Sequence, residues 1–201
     1  MAAEAAGDAG PERRRPGRRR SEGSRDAILE AATELVVEQG YAAVSIEKIA
    51  QRAGTGKQTI YRWWPSKGDV LMEALARKAD VHIALPDEGS WAADLRRMLD
   101  DSFLLGQVPQ VGELLRALMV EAQLDPAFGA RFRAEFLQRR RAALATLVER
   151  ARLRGDLPAT LTAGFAADVV FGVIWYRLLA VPQPFDRRLT DSLVALLTAG
   201  S

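Results

Sequence analysis

The sequence predicts an all-α protein of about nine helices, with a three-helix helix-turn-helix unit at the N-terminal end and a larger helical domain after it. Three observations carry this reading. Apolar residues recur at three- and four-residue spacing through most of the chain. No segment alternates with the period of two that a half-buried strand needs. Glycine or proline stands wherever the helical period lapses.

Composition narrows the function classes. At 201 residues the chain can bury a sizeable core. With no cysteine, disulfides, iron–sulfur clusters and thiol catalysis are excluded, and a cytosolic (cytoplasmic) protein is expected. One histidine, His82, cannot furnish a histidine-rich zinc site, and no metal or cofactor is expected. The formal net charge is +2, unevenly spread. Residues 45–67 carry Lys48, Arg52, Lys57, Arg62 and Lys67 against Glu47 alone. Residues 24–44 carry Arg25 against Asp26, Glu30, Glu34 and Glu38. A basic segment in a nearly neutral chain is the footprint of nucleic-acid binding, and also of a plain solvated face.

Residues 1–23 are small, charged and broken by proline and glycine, so a disordered arm is expected there. The arm lacks the apolar run of a secretion signal. Its RRRPGRRR run suits either a basic arm tracking DNA or a solubilising tail. From Ser24, the residues Ile28, Ala31, Ala32, Leu35 and Val36 mark a first helix that Gly40 stops. Ser45 is the expected N-cap of a short second helix whose inner face is Ile46, Ile49, Ala50 and Ala53. Gly54 permits a sharp turn. Thr55 and Gln58 have capping-box spacing, starting a third helix that runs to about Trp64. Pro65 ends it, and Ser66 with Asp69 caps the next. The remaining helices are expected at about 67–84, 90–105, 111–123, 126–154, 161–180 and 187–198.

On the third helix, Ile60 and Trp64 lie four apart, which makes Trp64 a core residue. The opposite face carries Lys57, Gln58, Thr59, Tyr61, Arg62 and Trp63. Lysine, arginine and glutamine hydrogen-bond base edges in the major groove, and a threonine methyl meets a thymine methyl. A tyrosine hydroxyl or an indole N–H donates to phosphate from a rigid body.

The stretch SIEKIAQRAGTGKQTIYRWWPSKGDVL (45–71) resembles the helix-turn-helix of the TetR/AcrR family of bacterial transcriptional regulators. The matching features are the Ala53-Gly54 turn, the Ile60-Tyr61 pair, the aromatic Trp64, and Ser66-Lys67 opening the fourth helix. Gly56 departs from the pattern, which commonly has a serine or other polar residue there, and removes one possible phosphate contact. The resemblance implies a DNA-binding domain over 24–71, with phosphate contacts from Ser45, Tyr61, Trp63 and Lys67. It implies base contacts from Lys57, Gln58, Thr59 and Arg62. It further implies that residues 72–201 form a ligand-binding and dimerisation domain that pairs through 161–180 and 187–199. The partners would be double-stranded DNA with a palindromic operator, a small-molecule effector, and a second copy of the chain. Such a repressor works in the bacterial cytoplasm, at the nucleoid when bound to DNA. Ligand would release it by moving the helix that starts at Lys67.

The segment LTAGFAADVVFGVIWYRLLA (161–180) is apolar enough to raise a membrane span, but Asp168 and Arg177 weigh for a helical interface instead. Phe103, Met119, Gln123, Phe128, Phe132, Phe136 and Trp175 are the candidate ligand-lining residues. Phe128, Phe132 and Phe136 recur every four residues, which fits bundle core as well as pocket wall. Glu121 and Gln123 are polar candidates that equally suit a solvated face. No phosphate-binding loop, dinucleotide fingerprint or nucleophile elbow is present, so an enzyme is not expected. His82 reads as a helix-terminal residue, and Asp94, Asp100 and Asp101 as solvated carboxylates. The alternatives are an architectural DNA binder without a ligand, an activator, and a helical carrier of hydrophobic molecules.

Overall fold

Residues 16–78 and 85–200 are described by the computed structural model of the chain. His82 and the first fifteen residues lie outside them. Ten α-helical segments follow one another, and no strand occurs among the described residues. They are α1 (Pro16–Gln39), α2 (Ile46–Arg52), α3 (Lys57–Tyr61), α4 (Lys67–Lys78), α5 (Trp91–Gly106), α6 (Pro109–Leu124), α7 (Pro126–Phe132), α8 (Gln138–Arg154), α9 (Ala163–Leu179) and α10 (Arg187–Thr198). A π-helical turn, Arg133–Leu137, joins α7 to α8, so the predicted 126–154 helix is one rod with a widened turn in it. Nine helical units result among the described residues.

Local chemistry explains most of the boundaries. Proline opens α1, α6 and α7, where its missing N–H costs nothing. The side chains of Ser45, Ser90, Asp125, Thr162 and Asp186 each accept a hydrogen bond from a backbone N–H of the helix they open. Ser66 and Asp69 form the expected cap: the Asp69 N–H donates to Ser66 Oγ, whose hydroxyl donates to the Asp69 carboxylate at 2.6 Å.

Three expectations need correction. The first helix begins at Pro16, so residues 16–23 are helical and not part of a disordered arm. The Thr55–Gln58 capping box does not form. Gly56 is the N-cap of α3, without a side-chain bond, and the helix gives way to a turn after Tyr61. Asp94 is not solvated: it is fully buried, accepting from the Glu88 N–H at 2.6 Å and from Arg154 at 2.9 Å. Asp100 likewise accepts from the Thr190 hydroxyl at 2.8 Å, joining α5 to α10.

Two hydrophobic cores organise the rods. The first joins α1, α2, α3 and α4 to α6 and α7, with Ile28, Ile49, Ile60, Leu71, Leu118, Phe128 and Phe132 at its centre. The second joins α5, α8, α9 and α10 around Trp91, Leu95, Leu144 and Leu147. Residue 71, where the sequence divides the domains, falls inside α4, whose Val70, Leu71, Ala74 and Leu75 are all buried in the first core. The helix-turn-helix is thus welded to the larger part along α4, which packs on both α1 and α6.

Glu121 on α6 is buried in that weld. Burial pushes its carboxyl above the ordinary value, and the negative charge of Asp125 adds to the effect. The folded state therefore keeps a proton that the unfolded chain has released. Stability falls as pH rises from about 4.5 to the raised folded value, then stays at the lower level. Glu121→Gln should raise the thermal midpoint at pH 7, with the gain vanishing below the ordinary carboxyl range; calorimetry across pH checks this.

Candidate functional site

The turn before α3 is set by Gly54, whose φ of 63° lies in the left-handed region that other residues avoid. It presents α3 across α2, and Ile60 and Trp64 hold it there. Ile60 is fully buried and Trp64 is 3% exposed. The Trp64 indole N–H donates to Glu73 of α4 at 2.9 Å, and Arg25 of α1 reaches the same Glu73 oxygen at 2.6 Å. The Arg25 guanidinium also covers the Trp64 ring, 5.6 Å from its centroid. One tryptophan thereby locks α1, α3 and α4 together.

The outer face of α3 carries the residues the sequence singled out. Lys57, Gln58, Tyr61 and Arg62 are exposed, and Thr59 and Trp63 are half-buried. Tyr61 is 50% exposed, a large share for an aromatic residue. Trp63 meets Trp64 edge-on, with ring centroids 5.4 Å apart, and the Arg62 guanidinium lies 5.2 Å from the Trp63 ring. The array is a rigid aromatic step edged by cations. Three of the candidates are already engaged. The Ser45 hydroxyl is spent on its cap, accepting from the Lys48 N–H. Lys57 hydrogen-bonds Glu47 at 3.0 Å, which raises the lysine pKa and lowers that of the glutamate. Lys67 places its ammonium 4.0 Å from the Tyr41 ring centroid, where burial lowers its pKa.

A cavity of about 330 Å³ lies at the other end of α4. Its wall takes Leu75 from α4, Phe103 from α5, Leu115 from α6, Phe136 and Arg140 from the π turn and α8, Trp175 and Leu178 from α9, and Phe185 from the following loop. Of the seven ligand-lining candidates, Phe103, Phe136 and Trp175 stand in this wall; Met119, Gln123, Phe128 and Phe132 do not. Gln123 is exposed, whereas Phe128 and Phe132 are fully buried core. The three phenylalanines nevertheless form a stack. Phe136 lies 5.2 Å from Phe132, and Phe132 lies 6.0 Å from Phe128, with near-parallel rings in both pairs. Phe128 ends against Gly68 in the first turn of α4, so closely that a Cβ there would stand 2.8 Å from its ring. An aromatic column therefore runs from the cavity wall to the first turn of α4.

Arg140, Arg141 and Phe185 escaped sequence reasoning. Phe185 sits in a loop with no period to follow. Arg140 left a signal, since it continues the four-residue spacing of Phe128, Phe132 and Phe136 and so is a cation on an apolar row.

Comparison with known proteins bears directly on this geometry. Residues 28–74 match the family described as "Bacterial regulatory proteins, tetR family", and residues 85–197 match "Tetracyclin repressor-like, C-terminal domain". The chain belongs to the TetR family. A relative in Bacillus subtilis (strain 168), described as the uncharacterized HTH-type transcriptional regulator YdeS, is 36% identical over 180 residues, 89% of each chain. The HTH-type transcriptional regulator AqdR of Rhodococcus erythropolis is 24% identical over 176 residues, 88% of this chain and 84% of that one. Among solved structures, the TetR family transcription regulator SCO0332 superposes with a TM-score of 0.64 at 30% identity, covering 89% of this chain and 98% of that chain. FadR from Bacillus subtilis, in complex with stearoyl-CoA, gives 0.71 at 21% identity, over 88% of this chain and 98% of that chain, a likeness of fold. This TetR-family protein is a DNA-binding transcriptional regulator and not an enzyme.

The close approach at Gly68 is testable. Gly68→Ala should cost about 1–3 kcal/mol through overpacking against Phe128, read as a lower unfolding midpoint. The doubly substituted Gly68→Ala, Phe128→Leu protein should recover most of that loss.

Proposed function

We propose that this regulator is a dimeric cytoplasmic repressor that leaves a palindromic operator when a small molecule fills its cavity. The observation that carries the reading is α4, which follows α3 after a short turn and holds Trp64 through Glu73, while its Leu75 stands in the cavity wall. A ligand that displaces Leu75 or Phe136 acts on both ends of this helix, directly and through the Phe136–Phe132–Phe128 column that ends on Gly68. The ligand must favour the arrangement that does not fit DNA. A coupling of about 1–3 kcal/mol lowers operator affinity roughly 5- to 150-fold.

In this reading α3 enters the major groove. Lys57, Gln58, Thr59 and Arg62 read bases, and Ser45, Tyr61, Trp63 and Lys67 hold phosphates. Lys57 exchanges Glu47 for a base edge, and Lys67 leaves the face of Tyr41. Phe103, Phe136 and Trp175 line the effector site. The second copy packs on the outer stripe of α9, where Phe165, Gly172, Tyr176 and Leu179 are exposed at three- to seven-residue intervals, together with Leu196 of α10. Such a stripe suits a four-helix interface between copies. Among the described residues, no helix is long and apolar enough to cross a membrane.

Sequence selection from a random duplex library at fixed salt tests the reading. One palindrome should emerge, preferred over random DNA by about 10³ or more; recovery of no preferred sequence would favour an architectural binder. On that operator, Lys67→Ala should weaken binding to all sequences and flatten the log–log salt slope by about 0.9. Lys57→Ala should instead relax discrimination at particular base pairs.

Tyr176→Glu tests the pairing separately. It should yield monomers by sedimentation with unchanged helicity, because Tyr176 is 61% exposed within one chain.

A further inference from the structure

The cavity wall is apolar except for Ser102, Arg140, Arg141 and Asp168. Three of these four are satisfied within the chain. The Ser102 hydroxyl donates to the Met98 carbonyl at 2.7 Å, and Arg141 pairs with Asp168 at 2.7 Å. Arg140 is different. Its guanidinium packs over the Phe136 ring at 3.9 Å, and among the described residues no carboxylate or carbonyl accepts from it. Burial pushes it down to about 10, which leaves it cationic at neutral pH. Arg140 is half-buried, so its guanidinium keeps part of its hydration, and the side set in the apolar wall is left without a counter-ion at some cost.

The backbone puts Arg140 there deliberately. In an unbroken α-helix, residues four apart drift by about 40° per step, so Arg140 would stand about 120° around from Phe128. The π turn at Arg133–Leu137 widens the helix where that drift would accumulate and keeps Phe128, Phe132, Phe136 and Arg140 near one face. π turns of this kind recur at functional sites.

We propose that the cavity binds an amphipathic monocarboxylate, its carboxylate paired fork-to-fork with the Arg140 guanidinium and its apolar part seated among Phe103, Leu115, Trp175, Leu178 and Phe185. The proposal rests on the reading of this cavity as the effector site and names the chemistry of its ligand. A planar guanidinium matches a carboxylate with two parallel hydrogen bonds. Charge selects among anions. With Arg141 neutralised by Asp168, the wall offers one uncompensated positive charge, which a carboxylate balances and a phosphate monoester exceeds. The volume, about 330 Å³, is at the lower end of small-molecule sites. A compact acid with an alkyl chain or fused ring suits it.

Isothermal calorimetry on the full chain without DNA tests this with decanoate and 2-naphthoate, each set against its neutral counterpart, 1-decanol and 2-naphthol. At least one acid should bind ten-fold or more tighter than its alcohol. Arg140→Met, which keeps the stem and removes the charge, should cost that acid at least ten-fold and leave the alcohol within about two-fold. Arg140→Lys should retain an intermediate preference, which separates loss of the charge from loss of the fold. Equal affinity for acid and alcohol, no binding of either acid, or decyl phosphate binding more tightly than decanoate would each overturn the proposal. Operator occupancy is measured in parallel. An acid that binds through Arg140 without releasing the operator supports this site and removes the ligand-release reading. Failure of both acids to bind removes the site and leaves operator selection to stand or fall on its own.

Discussion

The contact between Gly68 and Phe128 sets the terms for the rest of the molecule. Hydrogen is the only side chain that lets the first turn of α4 lie flat on that ring, and Glu121 closes over the same spot. Because interiors are close-packed, a displacement at one end of such a contact is transmitted rather than absorbed. Phe128 is stacked on Phe132, and Phe132 on Phe136, so the cavity and the first turn of α4 share one column of rings. The short α2 and α3 contribute little helix stability of their own, since so few turns are marginal in isolation. They hold their place through Ile49, Ile60 and Trp64, all seated in the core to which α4 belongs.

Charge is arranged around the same helix. Arg25, Arg77 and Lys78 tie α1 to α4 through Glu73, Asp26 and Glu30, and Arg131 of α7 binds both carboxylate oxygens of Asp69 at 2.9 and 3.1 Å. Each exposed pair contributes little alone, typically about 0–1 kcal/mol. Together they fix the direction of α4 relative to its neighbours, which matters more here than their summed energy. The basic residues of α2 and α3 show the same economy. Arg52 pairs with Glu38 and Lys57 with Glu47, so both cations are held by acidic residues of α1 and α2. In the proposed DNA complex Lys57 exchanges that carboxylate for a base edge.

Arg140 contrasts with Asp94, which is fully buried and receives both Arg154 and a backbone N–H. The contrast separates a charge that serves the fold from one left to a ligand.

The local elements were legible because they depend on local chemistry. Ser45, Ser66 and Asp69 cap what they were expected to cap, Gly40 stops α1 as expected, and the spacing of Ile60 and Trp64 named the buried side of α3, although that helix ends at Tyr61, four residues before Pro65. Thr55 and Gln58 failed because capping-box spacing is satisfied by many short stretches, and a glycine N-cap competes without needing a side-chain bond. Asp94 failed because burial of a carboxylate is decided by a partner sixty residues away. The cavity was legible only in part. Phe103, Phe136 and Trp175 announce themselves as large apolar residues on inward faces, but which aromatic residues face a void and which fill the core depends on how rods from distant parts of the chain lie across one another. By itself, the sequence determined the helical class, the turn before α3 and the side of α3 that faces outward, since period, caps and glycine act over a few residues. Only the tertiary structure decided that α4 runs from the Phe128 ring to the cavity wall and that Arg140 has no ion-pair partner among the described residues, because both follow from long-range packing that no local pattern encodes.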